Sequence, residues 1–450
     1  MKNWSFLYAI LKLFVNTAHY LFYRHIVVTN SENIPEDGPL IFVPNHQNAL
    51  MDALAVICTT KRQIVFLARA DIFKNPFQSW VLGKFKILPV YRIRDGAESL
   101  KENEEIFRQC IEILHNNMSL ALFPETTHHD KRRLQNLKKG VPRIAFLAEE
   151  KSDFRSGVQI VPVGIYFSHY QNYYSTLQVN YGNPFEIGSF AKEYYSSPQK
   201  AMMLLKEKMA EQIRPLMIDI KSAKYYDLFE KIRELYDFSM TRKSGKKLLQ
   251  AEKFIADKNI LNIMDAYAEN HDSELQELDL KVDIYYNLLK KTGFRDWLFD
   301  STAYSKMLII LKCLLFIPAV PFILYGIVSN YLPYWITEKV VKSTKDKQFH
   351  SSIKFGLGLV LFPVYYIILL VLLSYLTGNL LLLLLLFAGM PLSSKIWFAG
   401  TIRIKKIFSV IRFVQLSDKN DTELNELKNL RKEIISNIDE IVFWYSKQNI

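Results

Sequence analysis

The sequence predicts an α/β domain with a mostly parallel sheet, followed by a helical accessory region and C-terminal transmembrane helices. In the first half of the chain, short apolar runs such as PLIFVP, RQIVFLA and VQIVPVGIYF alternate with helical stretches such as SLKENEEIFRQCIEILHNN. This alternation is typical of parallel strands joined by helices. Nearer the C-terminus, residues 313–337 and 355–394 form runs of 25 and 40 residues without a charged side chain. Because about 20 apolar residues suffice to cross a bilayer, we expect an integral membrane protein.

The composition narrows the possible classes of function. The chain has 450 residues, of which 50% are hydrophobic, so it can bury a sizeable core. Its formal charge of +12 favours anionic partners such as phosphorylated metabolites, nucleotides, acidic lipids or nucleic acid. A nucleic-acid binder is disfavoured because the aromatic residues fall in apolar runs rather than between cations. Cys58, Cys110 and Cys313 show no paired spacing, which predicts buried thiols rather than a disulfide framework or a zinc site.

The N-terminal segment, residues 1–24, predicts an amphipathic helix at the membrane interface. Lys12, Asn16 and His19 recur at helical spacing and give a polar stripe to an otherwise apolar helix. The segment has no small-residue cleavage site, which argues against a signal peptide. A core helix of the α/β domain is the alternative interpretation.

The C-terminal part predicts three membrane segments, at about 313–337, 355–376 and 380–402. The turn signal Thr-Gly-Asn at 377–379 would make the last two a hairpin. Pro318 and Pro321 interrupt the first segment, which could therefore be re-entrant. Lysines crowd the connector 338–354 and the segment after the hairpin, and the positive-inside tendency places both in the cytoplasm.

Between the α/β domain and the membrane segments, the sequence has many helical signals and few strand signals. After Asp421, apolar residues recur at the spacing of one amphipathic helix. The expected organisation is an interfacial helix at 1–24, the α/β domain at 25–195, a helical accessory region at 196–304, the membrane region at 305–412 and a C-terminal amphipathic helix at 413–450.

A histidine and a carboxylate occur together in VPNHQNALMDAL, directly after the apolar run PLIFVP. A histidine can take a proton from an alcohol near neutral pH, and a carboxylate on its other ring nitrogen stabilises the imidazolium. Six residues of continuous helix correspond to about 600°, which would put His46 and Asp52 on different faces. We therefore expect His46 in the turn before a helix and Asp52 in an early turn of that helix, where doubly wound sheets bind ligands. The alternative is a helix-capping region with an incidental histidine.

Polar segments follow other predicted strands as well. Arg92 and Arg94 come after the apolar strand of GKFKILPVYRIRDG, where guanidinium groups could clamp a phosphate. The segment FPETTHHDKRRL follows the strand SLALFP and supplies further candidates for substrate binding, namely Glu125, Thr126, Thr127, His129 and Lys131. The run VPVGIYF adds a buried strand that contains Pro162.

In this order and spacing, the segments resemble the phospholipid and glycerol acyltransferase family. Its four blocks are a His-to-Asp block, an arginine block, FPEGTR and a proline-containing strand. The resemblance covers about residues 25–190. It implies transfer of a fatty acyl group from a coenzyme A or acyl-carrier-protein thioester to a hydroxyl of a glycerol phosphate. It also implies His46 as the catalytic base, Asp52 as its carboxylate partner and Arg92 as an acceptor-binding residue.

The sequence departs from the family pattern at three places. Five residues separate His46 from Asp52 where the family usually has four, Thr126 replaces the glycine of FPEG, and His128 stands where many members have arginine. The longer spacing and the dipeptide HD at 129–130 are similar to the eukaryotic-type glycerol-3-phosphate and dihydroxyacetone-phosphate acyltransferases. We expect the turn to absorb the extra residue. At position 126 a β-branched residue would occupy a backbone position suited to glycine.

The expected function is a membrane-bound acyltransferase of phospholipid biosynthesis that needs no metal and no cofactor beyond an acyl-CoA or acyl-carrier-protein co-substrate. The acceptor is glycerol 3-phosphate or dihydroxyacetone phosphate, with lysophosphatidate as the alternative. Arg92 is the expected phosphate ligand, with Lys131, Arg132 and Arg133 nearby. The expected partners are the acyl donor, the glycerol phosphate, the lipid bilayer and, as a further candidate, an acyl carrier protein, but no nucleic acid. The catalytic domain would face the cytoplasm, on the inner membrane if the protein is bacterial.

Two other classes compete with this interpretation. A transporter with a regulatory soluble domain is one, but the apolar segments contain almost no ionisable groups, which pathways for polar solutes usually require. A hydrolase with Ser99 or Ser119 as nucleophile is the other, but the sequence has no GxSxG elbow.

Overall fold

The computed structural model describes residues 6–91, 98–127, 129, 131–244, 250–299 and 305–448. The chain divides into two compact units. The first consists of Met1–Met217 and Pro333–Ile368, and the second of Ile218–Leu332 and Leu369–Ile450.

The sheet and the helices that cover it lie in the first unit. The strands are β1 (His25–Thr29), β2 (Leu40–Pro44), β3 (Ile64–Arg69), β4 (Ile87–Val90), β5 (Ser119–Ala121), β6 (Gln159–Phe167), β7 (Thr176–Tyr181) and β8 (Phe185–Glu186). The helices up to residue 217 are α1 (Phe6–Phe22), α2 (Leu50–Thr59), α3 (Pro76–Lys84), α4 (Glu98–His115), α5 (Gly140–Glu150), α6 (Ala191–Ser196) and α7 (Pro198–Ile213).

Long helices make up the rest of the described chain. They are α8 (Tyr226–Ser244), α9 (Gln250–Tyr267), α10 (Asp272–Thr292), α11 (Lys306–Phe316), α12 (Val320–Lys342), α13 (His350–Thr377), α14 (Leu380–Asp418) and α15 (Thr422–Gln448).

The described strands form one mostly parallel sheet, as predicted, in the order β1-β7-β6-β2-β5-β3-β4, with β8 paired to β6. The pairs β2–β5, β2–β6, β3–β5, β3–β4 and β1–β7 are parallel, whereas β6 pairs antiparallel with β7 and β8. Strand β2 therefore lies between β5 and β6, and its carboxyl end meets theirs at one edge of the sheet.

The central strand β2 is buried on both faces, which explains its continuous apolar run. Ile41 and Val43 point into a core built with α4, α5 and α7, while Leu40 and Phe42 point into a second core built with α1 and α2. Phe42 of β2 lies opposite one residue of β5 and one residue of β6, and these pairs define the register of the three strands. The sheet thus holds the ends of β2 and β5 at a fixed separation.

Helix α1 turns its predicted polar stripe inward. His19 is 1% exposed, and Lys12 Nζ donates to the Thr60 carbonyl. Apolar side chains instead cover the outer face, namely Phe6, Leu7, Ile10, Leu13 and Phe14. A helix with an apolar outer face fits a membrane interface better than a water-exposed surface, but its location there stays a prediction.

Three stretches of the described chain are long and apolar enough to cross a membrane, namely Lys306–Lys342, Lys347–Thr377 and Leu380–Asp418. The first contains a short 3-10 turn, Ile317–Ala319, at Pro318. Between the last two, Gly378 adopts φ +55° and the Asn379 side chain accepts from Leu382 N at 3.1 Å. The chain therefore turns there, and α14 begins with Asn379 as its cap. Helix α14 extends well past the predicted end of the third span, because no strong helix breaker follows before Asn420, where φ is +52°.

Candidate active site

His46 and Asp52 meet at the carboxyl end of β2. His46 lies in the turn that leaves the strand, and Asp52 is the third residue of α2. The His46 Nδ1 atom is 2.9 Å from Asp52 Oδ2. The Asp52 side chain is fully buried, whereas 12% of the His46 side chain is exposed. The turn-then-helix placement expected from the spacing is therefore present.

A carboxylate can only accept, so the neutral His46 ring carries its proton on Nδ1 and donates it to Asp52. Asp52 Oδ2 also accepts the backbone N–H groups of Gln47 at 2.8 Å and Asn48 at 2.6 Å. These donors and the N-terminus of α2 stabilise a buried carboxylate. With Nδ1 facing Asp52, proton transfer with an acceptor would use His46 Nε2.

The extra residue between His46 and Asp52 is absorbed by a tight turn at Ala49. Its backbone adopts φ +45° and ψ −121°, and Met51 N donates to the Asn48 carbonyl at 2.9 Å. These angles are those of the first central residue of a type II′ turn, a position that favours glycine. The turn reverses the chain before α2 begins and brings Asp52 back to His46.

The segment after β5 forms the second wall of the site. The ring of Phe123 stacks on that of His46, with centroids 3.9 Å apart and 12° between the planes. Glu125 is 1% exposed and accepts His46 N at 2.7 Å and Gln135 N at 2.9 Å. Glu125, predicted to bind substrate, thus uses one carboxylate oxygen to join the two loops and the other to brace its own loop. The sequence pattern did not reveal this contact, because it joins residues 79 positions apart.

Thr126 occupies a backbone position that suits glycine, as its place in the FPEG block implies. Its φ is +62°, and its N–H donates to the Phe123 carbonyl at 3.1 Å. Thr126 and Thr127 are both exposed at the surface of this loop. The backbone therefore turns here without a glycine, at a cost of about 1–2 kcal/mol.

The other predicted substrate-binding residues are only partly placed. Arg92 and Arg94 lie outside the described residues, as do positions 128 and 130. The side chain of His129 is 19% exposed, with Nε2 3.5 Å from Glu125 Oε2. His129 therefore lies near Glu125, and Lys131 is an exposed cation on the same loop.

Arg132, one of the nearby cations considered for phosphate binding, is enclosed by protein. It is 3% exposed, and its guanidinium donates to the Phe167 carbonyl at 2.9 Å. The rings of Tyr166 and Tyr170 lie 4.8 Å from its central carbon. These contacts favour a structural role, in which Arg132 fixes the loop after β6. Tyr170 in turn donates its hydroxyl to Gln47 Oε1 at 2.8 Å.

Buried titratable groups lie behind the pair. Burial, and to a lesser degree the charge of Asp52, raise the pKa of the Tyr23 phenol well above its usual value. Burial lowers the pKa of His19 to about 3. Both side chains therefore stay neutral near pH 7.

Among the described residues, no group of three His, Cys, Asp or Glu side chains is placed to hold a metal ion.

This arrangement is suited to general base catalysis on a hydroxyl. An imidazole reachable from solvent is oriented by a buried carboxylate, stacked on an aromatic ring and fixed through its own backbone N–H. The site lies at the carboxyl end of a central parallel strand, where open α/β sheets bind ligands.

Comparison with known proteins assigns this part of the chain to a family. The family model described as Acyltransferase matches residues 25–166. Residues 25–166 are therefore similar to this family, and the resemblance inferred from the sequence motifs is confirmed over that range.

Two similar proteins are acyltransferases by name. The chain is 27% identical over 160 residues to a chloroplastic 1-acyl-sn-glycerol-3-phosphate acyltransferase of Arabidopsis thaliana, covering 35% of this chain and 40% of that protein. It is 24% identical over 253 residues to glycerol-3-phosphate O-acyltransferase 1 of Saccharomyces cerevisiae, covering 54% of this chain and 32% of that protein. It thus spans less than half the length of either relative. The crystal structure of the acyltransferase PlsC from Thermotoga maritima aligns at TM-score 0.33 and 22% identity, covering 45% of this chain and 78% of that chain.

Proposed function

We propose that the protein is a membrane-bound glycerolipid acyltransferase. It would transfer a fatty acyl group from an acyl-CoA or acyl-carrier-protein thioester to a hydroxyl of glycerol 3-phosphate or dihydroxyacetone phosphate. The observation that carries the proposal is the 2.9 Å contact between His46 Nδ1 and the buried Asp52 carboxylate at the carboxyl end of β2. The acyltransferase-family match over the same residues supports it.

In the proposed reaction, His46 Nε2 takes the proton of the acceptor hydroxyl as its oxygen attacks the thioester carbonyl carbon. Asp52 stabilises the imidazolium that forms. The new C–O bond is completed as the C–S bond breaks, and the imidazolium returns its proton to the leaving thiolate. Atoms and charge balance without a further reactant.

The phosphate of the acceptor would bind at the rim of the site, where His129 and Lys131 are the described candidates. Arg92 and Arg94, which lie outside the described residues, are the candidates that the sequence adds. Three long apolar segments support a location at the membrane, where acyl chains partition. The chain's charge of +12 would favour anionic lipid, coenzyme A and acidic carrier protein alike.

Lysophosphatidate is the second candidate acceptor. The name of the Arabidopsis relative specifies 1-acylglycerol 3-phosphate, whereas that of the yeast relative specifies glycerol 3-phosphate. The five-residue spacing between His46 and Asp52 favours glycerol 3-phosphate or dihydroxyacetone phosphate, because it is similar to the eukaryotic-type branch.

The test is acyl transfer by the purified full-length chain in detergent micelles. One radiolabelled long-chain acyl-CoA is incubated in turn with glycerol 3-phosphate, dihydroxyacetone phosphate and lysophosphatidate. We expect one acceptor to dominate. His46→Ala should lower kcat about 10²- to 10⁴-fold, the usual contribution of a general base.

The matched control is His25→Ala, because His25 is an exposed histidine on strand β1. It should leave kcat unchanged within about twofold. Failure of all three acceptors to be acylated, with either an acyl-CoA or an acyl-carrier-protein donor, would refute the proposed function. Retention of a tenth of the turnover by His46→Ala would refute the role given to His46.

A further inference from the structure

The first turn of α13 contacts the helix that carries Asp52. Ser352 Oγ accepts Leu50 N at 3.2 Å, and Leu50 is the first residue of α2. The residue before it, Ala49, provides no side-chain cap. The first N–H groups of a helix have no partner within the helix. Ser352, 302 positions away, therefore supplies the cap that the local sequence lacks.

Ser351 contacts the same turn through the loop after β6. Ser351 is 1% exposed, and its hydroxyl donates to the Tyr170 carbonyl. That carbonyl also accepts Asn48 Nδ2 at 3.2 Å, and the Tyr170 hydroxyl donates to Gln47 Oε1 at 2.8 Å. Gln47 and Asn48 are the two residues whose backbone N–H groups hold the Asp52 carboxylate. Ser351 is thus one contact away from the donors that orient Asp52.

Lys354 anchors this turn of α13. It is 5% exposed, and its Nζ donates to the Gln171 carbonyl at 3.0 Å and pairs with Glu338 Oε1 at 2.5 Å. The Tyr173 ring lies 5.3 Å from the same nitrogen. A buried ammonium with these partners is held in one position, because moving it would leave a charge without compensation. The two serines before it are therefore held in fixed positions.

We propose that Ser351 and Ser352 are positioning residues for the acyl transfer, and that the membrane region, through the start of α13, completes the active-site turn of residues 46–52. Residues 347–377 form one of the apolar stretches long enough to span a bilayer. The same stretch that would anchor the protein thus also sets the orientation of the His46–Asp52 pair. The inference rests on the proposed function for its kinetic consequence.

The test compares three variants of the full-length chain in detergent micelles, namely Ser352→Ala, Ser351→Ala/Ser352→Ala and Ser352→Thr. Each lost hydrogen bond should lower kcat about fivefold, with the KM values for donor and acceptor within about twofold. Ser352→Thr keeps a hydroxyl and should restore most of the turnover. Hydrogen–deuterium exchange should show faster exchange of the amides at 47–50 in the alanine variants and no change in β6.

Both alanine variants should fold. Leu50 is 40% exposed, so its N–H can bond to water, and the Tyr170 carbonyl keeps Asn48 Nδ2 as a donor. The matched control is Ser343→Ala, because the exposed Ser343 hydroxyl, just after α12, donates to the nearby Val340 carbonyl. It should change neither kcat nor exchange at 47–50.

The outcomes separate this inference from the proposed function. An inactive wild-type chain overturns the proposed function and the kinetic role with it. An active wild type whose alanine variants keep their kcat overturns the inference alone, whether or not exchange at 47–50 increases. A lower kcat with unchanged exchange also overturns it, because the effect would then not pass through the turn.

Discussion

Replacing Asp52 by asparagine and by alanine would separate the charge of this side chain from its role in shaping the turn. Asp52 Oδ2 accepts one bond from the His46 ring and two from the backbone. Asparagine has the same shape, so its amide oxygen can keep the two backbone donors, but it has no charge to stabilise an imidazolium. Alanine loses all three bonds.

The expected losses of kcat and of the free energy of unfolding follow from these hydrogen bonds. A hydrogen bond to a charged group contributes about 1.5–3 kcal/mol, and about 1.4 kcal/mol changes a rate tenfold. Both variants should therefore lower kcat at least about 10- to 150-fold. Gln47 and Asn48 are 3% and 2% exposed, and a buried N–H left without a partner costs about 1–3 kcal/mol. Asp52→Ala should therefore lower the free energy of unfolding by about 2–6 kcal/mol, and Asp52→Asn by less than about 2 kcal/mol.

The assays are steady-state acyl transfer with the preferred acceptor and denaturant unfolding in the same micelles. Equal loss of stability in the two variants would refute the account of the turn, because asparagine would then not be holding the backbone donors. Wild-type turnover in Asp52→Asn would refute the electrostatic role of the carboxylate.

Three further predictions concern stability, measured by unfolding in detergent. Thr126→Gly should raise the free energy of unfolding by about 1 kcal/mol, because φ there is +62°. His19, whose pKa is lowered to about 3 by burial, binds its proton only when the chain unfolds, so stability should fall by about 2 kcal/mol from pH 7 to pH 5. Gly326→Ala should destabilise by about 1–3 kcal/mol, because the new Cβ would lie 2.6 Å from the Ser393 carbonyl oxygen. Gly356→Ala is its control, since nothing lies within 4 Å of that position.

Each of these three stability predictions has a result that would contradict it. A less stable Thr126→Gly variant would mean that contacts of the threonine outweigh its backbone cost. The pH dependence should weaken in His19→Leu, and an unchanged slope would assign it to other groups. Equal destabilisation by Gly326→Ala and Gly356→Ala would show that the close helix contact at Gly326 carries no special weight.

The sequence predicted the sheet and the His46–Asp52 pair because both depend on local patterns. The apolar runs and helical stretches alternate along the chain, and the spacing of the pair fits a strand, a turn and a helix. It also predicted that the threonine in the FPEG block would occupy a glycine-like position, and Thr126 has a positive φ. The individual strands and both turns are each set within about ten residues of the chain.

The sequence did not predict how the loops are joined. The bond from His46 N to Glu125 and the stacking of Phe123 on His46 depend on β2 and β5 being neighbours with a fixed register. The bond from Leu50 N to Ser352 joins residues 302 positions apart. No periodicity or spacing marks such partners, because the residue types involved are common and their proximity is decided by packing.

The candidate site is held by contacts between segments rather than by the conformational preference of its own loops. Ala49 and Thr126 both have positive φ, where an L-residue is strained by about 1–2 kcal/mol. Such turns persist only if their surroundings fix them. Here the Asp52 carboxylate holds the first turn through two backbone N–H groups, and Glu125 ties that turn to the second. The proposed proton transfer needs an imidazole aligned to within a fraction of an ångström, so these ties would matter to it as much as the two side chains do.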